Sequence, residues 1–144
     1  MDAFDADVII YAAAPAHLLG RRVRALFPAG PTSESAAIAG VGSVLLLPEV
    51  LAKPMREGSS DEVAELGALL GRLTLLPVDL ATADLATALA AFYGLRAADA
   101  THLATAIRAG ADRFLTNNRK DFPPDTITEI DIVYPGDLPE TAAR

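Results

Sequence analysis

Strand-like and helix-like stretches alternate along this chain, and no other feature constrains its fold as much. Asp2 to Ala6 reads as a short buried strand feeding a helix through Val8, Ile9, Ile10 and Tyr11, with a second helix from about Ala16 to Phe27. The cluster Pro28-Ala29-Gly30-Pro31-Thr32-Ser33 ends that helix in a turn. A second strand is expected near Ala37 to Val41, followed by a helix that Pro48 opens in its first turn, where a missing N–H costs nothing. Lys53-Pro54 should kink or end it.

Ser59-Ser60-Asp61-Glu62 is read as the cap of the next helix, with Val63, Leu66, Leu69, Leu70 and Leu73 at helical spacing. Leu75 to Val78 reads as a strand, then come helices from about Ala81 to Tyr93 and from about Ala98 to Ala109, each closing on glycine. Arg113 to Thr116 and Asp131 to Tyr134 complete the strands, and the tail after Pro135 is polar and expected to fray. The alternation implies an α/β protein, three layers α/β/α around a central, mostly parallel sheet. With 144 residues, 51% of them apolar, one substantial core is affordable and two are not. A single domain over 1–136 is therefore expected, with a polar C-terminal tail over 137–144.

Four acidic or amide-bearing stretches fall where strands should end or helices begin: Phe4-Asp5-Ala6-Asp7-Val8, Pro48-Glu49-Val50, Ala98-Asp99-Ala100 and Thr116-Asn117-Asn118. In open parallel sheets ligands bind beyond the carboxyl ends of the strands, where the strand order reverses, and Asp5 and Asn117-Asn118 sit at such ends. Carboxylates gathered from distant segments suit a hard divalent cation and leave positions for water and a phosphate. With no Cys in the chain, a metal has only oxygen or His to bind, and there is no disulfide framework or thiolate nucleophile.

A net charge of −7 argues against loose nucleic-acid binding through a broad basic face, but metal bound by clustered carboxylates would neutralise charge where a phosphate approaches. The basic clumps, Arg21-Arg22-Val23-Arg24 and Arg113 with Arg119-Lys120, read as a solvated helix face and loop charges. The start lacks a basic segment followed by an uninterrupted apolar core, so a cytoplasmic protein is expected. The apolar run Ala36 to Leu47, broken by Gly40, Gly42 and Ser43, is shorter than the roughly 20 residues of a membrane span.

These residues resemble the PIN domain family, and within it the small VapC-like toxins of VapBC toxin–antitoxin pairs. Phe4 to Tyr11 is similar to the opening Asp motif, Pro48-Glu49-Val50-Leu51 to the second motif, Leu95 to Ala106 to the third, and Phe114 to Asn118 with Asp121-Phe122 to the last. The likeness spans nearly the whole chain, in order. It implies a metal-dependent ribonuclease in which Asp5, Glu49 and Asp99 carry one or two Mg²⁺ or Mn²⁺ ions, with Asn118 as a further ligand and Asp7 and Asp121 as additional candidates. It also implies a homodimer, an RNA substrate and a cognate VapB-like antitoxin. The family commonly has an acid at the position of Asn118 and an amide or hydroxyl at that of Asp7, so the two are exchanged here. Asn118 offers a carbonyl oxygen without charge.

Each residue also has a plain structural reading. Asp5 suits a helix N-cap, Glu49 a first helical turn with Lys53 at i+4, Asp99 another first turn, and Asn117-Asn118 a turn. His102 shares the face of Asp99 but reads as a packed, hydrogen-bonded core histidine. Two alternatives remain. One is a non-catalytic PIN-like binding module. The other is a haloacid-dehalogenase-like phosphohydrolase, which also opens with Asp-x-Asp after a strand, although no paired acids follow a later strand here.

Overall fold

The computed structural model describes residues 1–27 and 37–140. Its strands are β1 (Asp2–Phe4), β2 (Gly40–Ser43), β3 (Leu73–Leu76), β4 (Arg113–Leu115) and β5 (Asp131–Val133). They form one sheet in the order β3-β2-β1-β4-β5, and every pairing is parallel. Helices α1 (Ala6–Ala13), α2 (Leu18–Arg24), α3 (Leu46–Arg56) and α4 (Ser60–Leu70) cover one face, while α5 (Leu80–Tyr93) and α6 (Ala97–Arg108) cover the other. The result is the expected α/β/α sandwich, with the strand order reversing between β1 and β4.

The two-residue period of the strands divides the core. Ala3, Phe114 and Ile132 are in register and point into the α5–α6 layer, whereas Phe4 and Leu115 beside them point into the α1–α4 layer. A strand apolar on both faces has no polar side to offer solvent, which is why three-residue segments suffice here. On the α1–α4 side, α2 lies close against α1, for a Cβ built on Gly20 would meet the Tyr11 carbonyl oxygen at 2.0 Å.

Several boundaries differ from the sequence reading. β2 begins at Gly40 rather than near Ala37, because the backbone there comes so close to β1 that a Cβ on Gly40 would lie 2.2 Å from the Asp2 carbonyl oxygen. β3 covers Leu73–Leu76, earlier than expected, with α4 stopping at Leu70 and Leu73 turning into the sheet core. α2 is only Leu18–Arg24, capped by the His17 ring, whose Nδ1 accepts from the Gly20 N–H at 3.1 Å. α3 runs through Pro54 to Arg56: the proline forgoes only its own N–H bond, and the ladder continues with the Glu57 N–H donating to the Lys53 carbonyl at 3.0 Å. α4 starts at Ser60, and Ser59 precedes it without a side-chain cap bond. The turn expected over Pro28 to Ser33 lies outside the described residues.

The segment after Pro135 does not fray where it is described. Leu138 is buried in the α1–α4 core, and Arg22 Nη1 donates to the carbonyls of Gly136 (2.8 Å) and Leu138 (3.0 Å). One apolar residue in a polar tail is enough to dock it. No helix among the described residues is long and apolar enough to cross a membrane.

Candidate active site

Asp5 follows β1 at the point where the strand order reverses. Its extended backbone makes it the N-cap of α1, so Oδ1 accepts from the Ala6 N–H at 2.8 Å, and Oδ2 accepts from the Thr116 hydroxyl at 2.8 Å. The capping reading is thus correct, and Asp5 is buried, 5% exposed, where the strand order reverses between β1 and β4. Thr116, just past β4, also accepts from the Asn118 N–H at 3.1 Å, linking the acid to the following loop.

Asp7 stands in the first turn of α1. Its Oδ2 accepts from the Asn117 N–H at 2.9 Å, while Oδ1 is buried with no partner among the described residues. Glu49 comes from the first turn of α3, in one helical layer, and Asp99 from the first turn of α6, in the other. The expected i+4 ion pair of Glu49 with Lys53 is not formed; Glu49 Oε1 instead lies 2.9 Å from Nε2 of the buried His102.

These groups feel one another. Burial, first of all, raises the pKa of Asp5; the His102 ring opposes the shift and Glu49 adds to it. Burial and then the Asp5 charge push Asp7 up to about 7. Asp99 is raised as well, by burial and then by Asp5 and Asp121. The fold therefore draws Asp5, Asp7, Glu49, Asp99 and Asp121 into one electrostatic neighbourhood.

Asn118 is engaged differently from what its expected ligand role asks. Its Nδ2 donates to Asp121 Oδ2 at 2.9 Å and its Oδ1 accepts from the Asp121 N–H at 3.2 Å, so each residue fixes the other. Thr116 and His102 are contacts that the sequence reading did not place in the site. His102 lies at helical spacing from Asp99, a signal outweighed by the apolar helix around it; Thr116 carried no distinguishing signal.

An oxygen-only donor set short of positive charge, with one buried carboxylate oxygen unpartnered, is chemically suited to a hard divalent cation. As the side chains stand, no three His, Cys, Asp or Glu groups among the described residues are arranged to hold a metal ion. Asp5 is hydrogen-bonded to Ala6 and Thr116, Asp7 Oδ2 to Asn117 and Glu49 Oε1 to His102, whereas Asp7 Oδ1 has no partner among the described residues.

The PIN domain family matches residues 4–123, from the strand that leads into Asp5 to the loop beyond Asp121. The chain belongs to the PIN domain family. PIN domains are generally nucleases that use divalent metal ions, and membership removes the phosphohydrolase alternative. Among solved structures, a chain from a toxin–antitoxin complex of Klebsiella pneumoniae is similar, with 25% identity and a TM-score of 0.63, covering 92% of this chain and 100% of that one. No curated protein matches the chain.

Proposed function

We propose that this PIN domain is a Mg²⁺- or Mn²⁺-dependent endoribonuclease, the toxin of a toxin–antitoxin pair, acting in the cytoplasm. The observation that carries the reading is the gathering of Asp5, Asp7, Glu49 and Asp99 at the strand-order reversal, with Asp5, Asp7 and Asp99 all raised in pKa. Family membership and the likeness to the Klebsiella pneumoniae complex support it. Asp5, Glu49 and Asp99 would hold the metal, with Asn118, Asp7 and Asp121 as further oxygen donors. A bound divalent ion supplies an activated water at neutral pH and neutralises charge on the phosphate.

The chain's own residues supply position. Thr116 restrains Asp5 through its hydroxyl, and His102 restrains Glu49. No side chain is needed as nucleophile. The antitoxin would reach the acidic carboxylates with an extended, basic segment whose arginine pairs with them. A homodimer belongs to the same reading.

A second reading, a non-catalytic PIN-like binding module, rests on Asn118, an amide where the family commonly has an acid and one whose Nδ2 and Oδ1 are both engaged by Asp121. One experiment separates the two. Purified protein with Mn²⁺ should cleave RNA, and Asp5→Asn, Glu49→Gln and Asp99→Asn should each remove cleavage while remaining folded. Full activity in all three variants sinks the assignment, and metal binding without cleavage in the wild type favours the binding module.

A further inference from the structure

Arg119 is an exposed cation held in a fixed pose in the loop after β4, one residue beyond Asn118. Its guanidinium lies over the ring of Tyr134, with Cζ 4.3 Å from the centroid. The ring is itself immobilised, because the buried Tyr134 hydroxyl donates to the Phe122 carbonyl at 2.6 Å and the Tyr134 N–H donates to Asp137 Oδ2 at 3.2 Å. The backbone under Arg119 is equally constrained. Its N–H donates to the Asn117 carbonyl at 3.0 Å, and the neighbouring Asn118 is tied to Thr116 and Asp121. Two hydrogen bonds, Asp5 to Thr116 and Thr116 to Asn118, connect the crevice to the residue beside Arg119.

Arg22, Arg24, Arg108 and Arg113 each pair with a carboxylate. Arg119 forms no ion pair among the described residues. Asp125 and Asp137 act electrostatically on the Tyr134 ring, and Asp137 Oδ2 accepts from the Tyr134 N–H, but neither pairs with Arg119. A stacked guanidinium keeps its N–H edge free for a planar, bidentate partner, and a phosphodiester has the matching oxygens. The stacking also reduces the side-chain freedom lost on binding.

We propose that Arg119 grips a backbone phosphate of the nucleic-acid chain flanking the one at the carboxylates, so that the strand runs from the β1–β4 crevice past the end of β5. The proposal deepens the nuclease reading and rests on it. It also addresses how a chain of net charge −7 accepts a polyanion: a cation positioned on the loop that carries Asn118 and Asp121 favours one direction of approach.

The test compares wild type, Arg119→Ala, Arg119→Lys and Tyr134→Leu on a fluorescein-labelled single-stranded RNA of mixed sequence across a salt series with Mn²⁺. Arg119→Ala should raise KM about tenfold, the loss of one charge-assisted contact, with kcat little changed. The slope of log(kcat/KM) against log salt should flatten by about 0.7, one phosphate contact on a single strand. Arg119→Lys should keep the slope and recover part of KM, and Tyr134→Leu should raise KM without changing the slope. An unchanged KM and slope in Arg119→Ala overturn the proposal while leaving the nuclease reading intact. If wild type binds the RNA without cutting it, the nuclease reading fails, and the salt slope of binding by anisotropy, with and without Arg119, decides the grip. Neither binding nor cleavage by wild type overturns both.

Discussion

His102 Nε2 lies 2.9 Å from Glu49 Oε1, so an imidazole buried in α6 holds a carboxylate that α3 presents from the opposite helical layer. The histidine side chain is 1% exposed and the glutamate side chain 34%. His102 Nδ1 is buried without a partner among the described residues, so Nε2 is the ring nitrogen that meets another group. The histidine thus packs as core and still orients a candidate ligand.

His102→Leu should therefore fold, since the site is apolar and Glu49 can turn to water, but it should bind Mn²⁺ about tenfold more weakly, as when outer-shell partners of ligands are lost. Calorimetric titration of the folded variant measures this. Unchanged affinity would reduce His102 to a packing residue.

Asp7 makes stability depend on pH in an unusual direction. Its pKa is pushed from an ordinary 3.8 to about 7, by burial and then by Asp5. Between those values the folded chain holds a proton that the unfolded chain has released, so this group's contribution falls as pH rises from about 4 to about 7. Asp7→Asn should remove that contribution. In EDTA, the melting temperature of wild type minus that of the variant should drop across the window and be negative at pH 7.5. Added Mn²⁺ should raise the melting temperature of wild type more than that of the variant at pH 7.5. A difference that rises with pH would contradict the assignment.

Much of the fold could be read from the chain because apolar periodicity and turn residues agree along it. All five strands fall at or next to their expected places. The shifts at β2 and β3 come from tertiary contacts that propensity does not register: Gly40 is weak in a strand on its own, yet its lack of a Cβ is what lets β2 lie against β1. The acids at element ends were legible as a set, since helix N-termini and strand ends both favour them. Their partners were not. Nothing local distinguishes a His102 that meets Glu49, fifty-three residues away, from one that meets a backbone carbonyl, and Thr116 is equally at home as an ordinary strand residue.

The docked tail makes a stability prediction. Leu138 is 4% exposed in the α1–α4 core. Leu138→Ala should cost about 2–4 kcal/mol in urea denaturation, the usual range for a buried leucine truncated to alanine. Arg22→Ala should cost less, because its bonds to Gly136 and Leu138 lie partly in solvent. A Leu138→Ala midpoint equal to wild type would mean that the segment contributes nothing to the core.

Asn118→Asp tests whether the exchanged acid and amide share one site. At present the amide donates to Asp121 Oδ2 at 2.9 Å and accepts from the Asp121 N–H at 3.2 Å. An aspartate keeps the acceptor but turns the donor into an oxygen facing a carboxylate, in a neighbourhood where Asp99 already feels Asp121. Without metal at pH 7.5 the variant should lose about 1–2 kcal/mol through the broken bond and the added repulsion. The same crowding becomes attraction once a divalent cation is added, so Mn²⁺ should bind more tightly than to wild type and should restore the lost stability. Calorimetry and melting curves with and without Mn²⁺ read both effects. Lost stability with no gain in affinity would place residue 118 outside the ion's reach and leave Asp121 as the ligand from this loop, whereas a gain in affinity with no loss of stability would mean that the Asn118–Asp121 bracket contributes nothing.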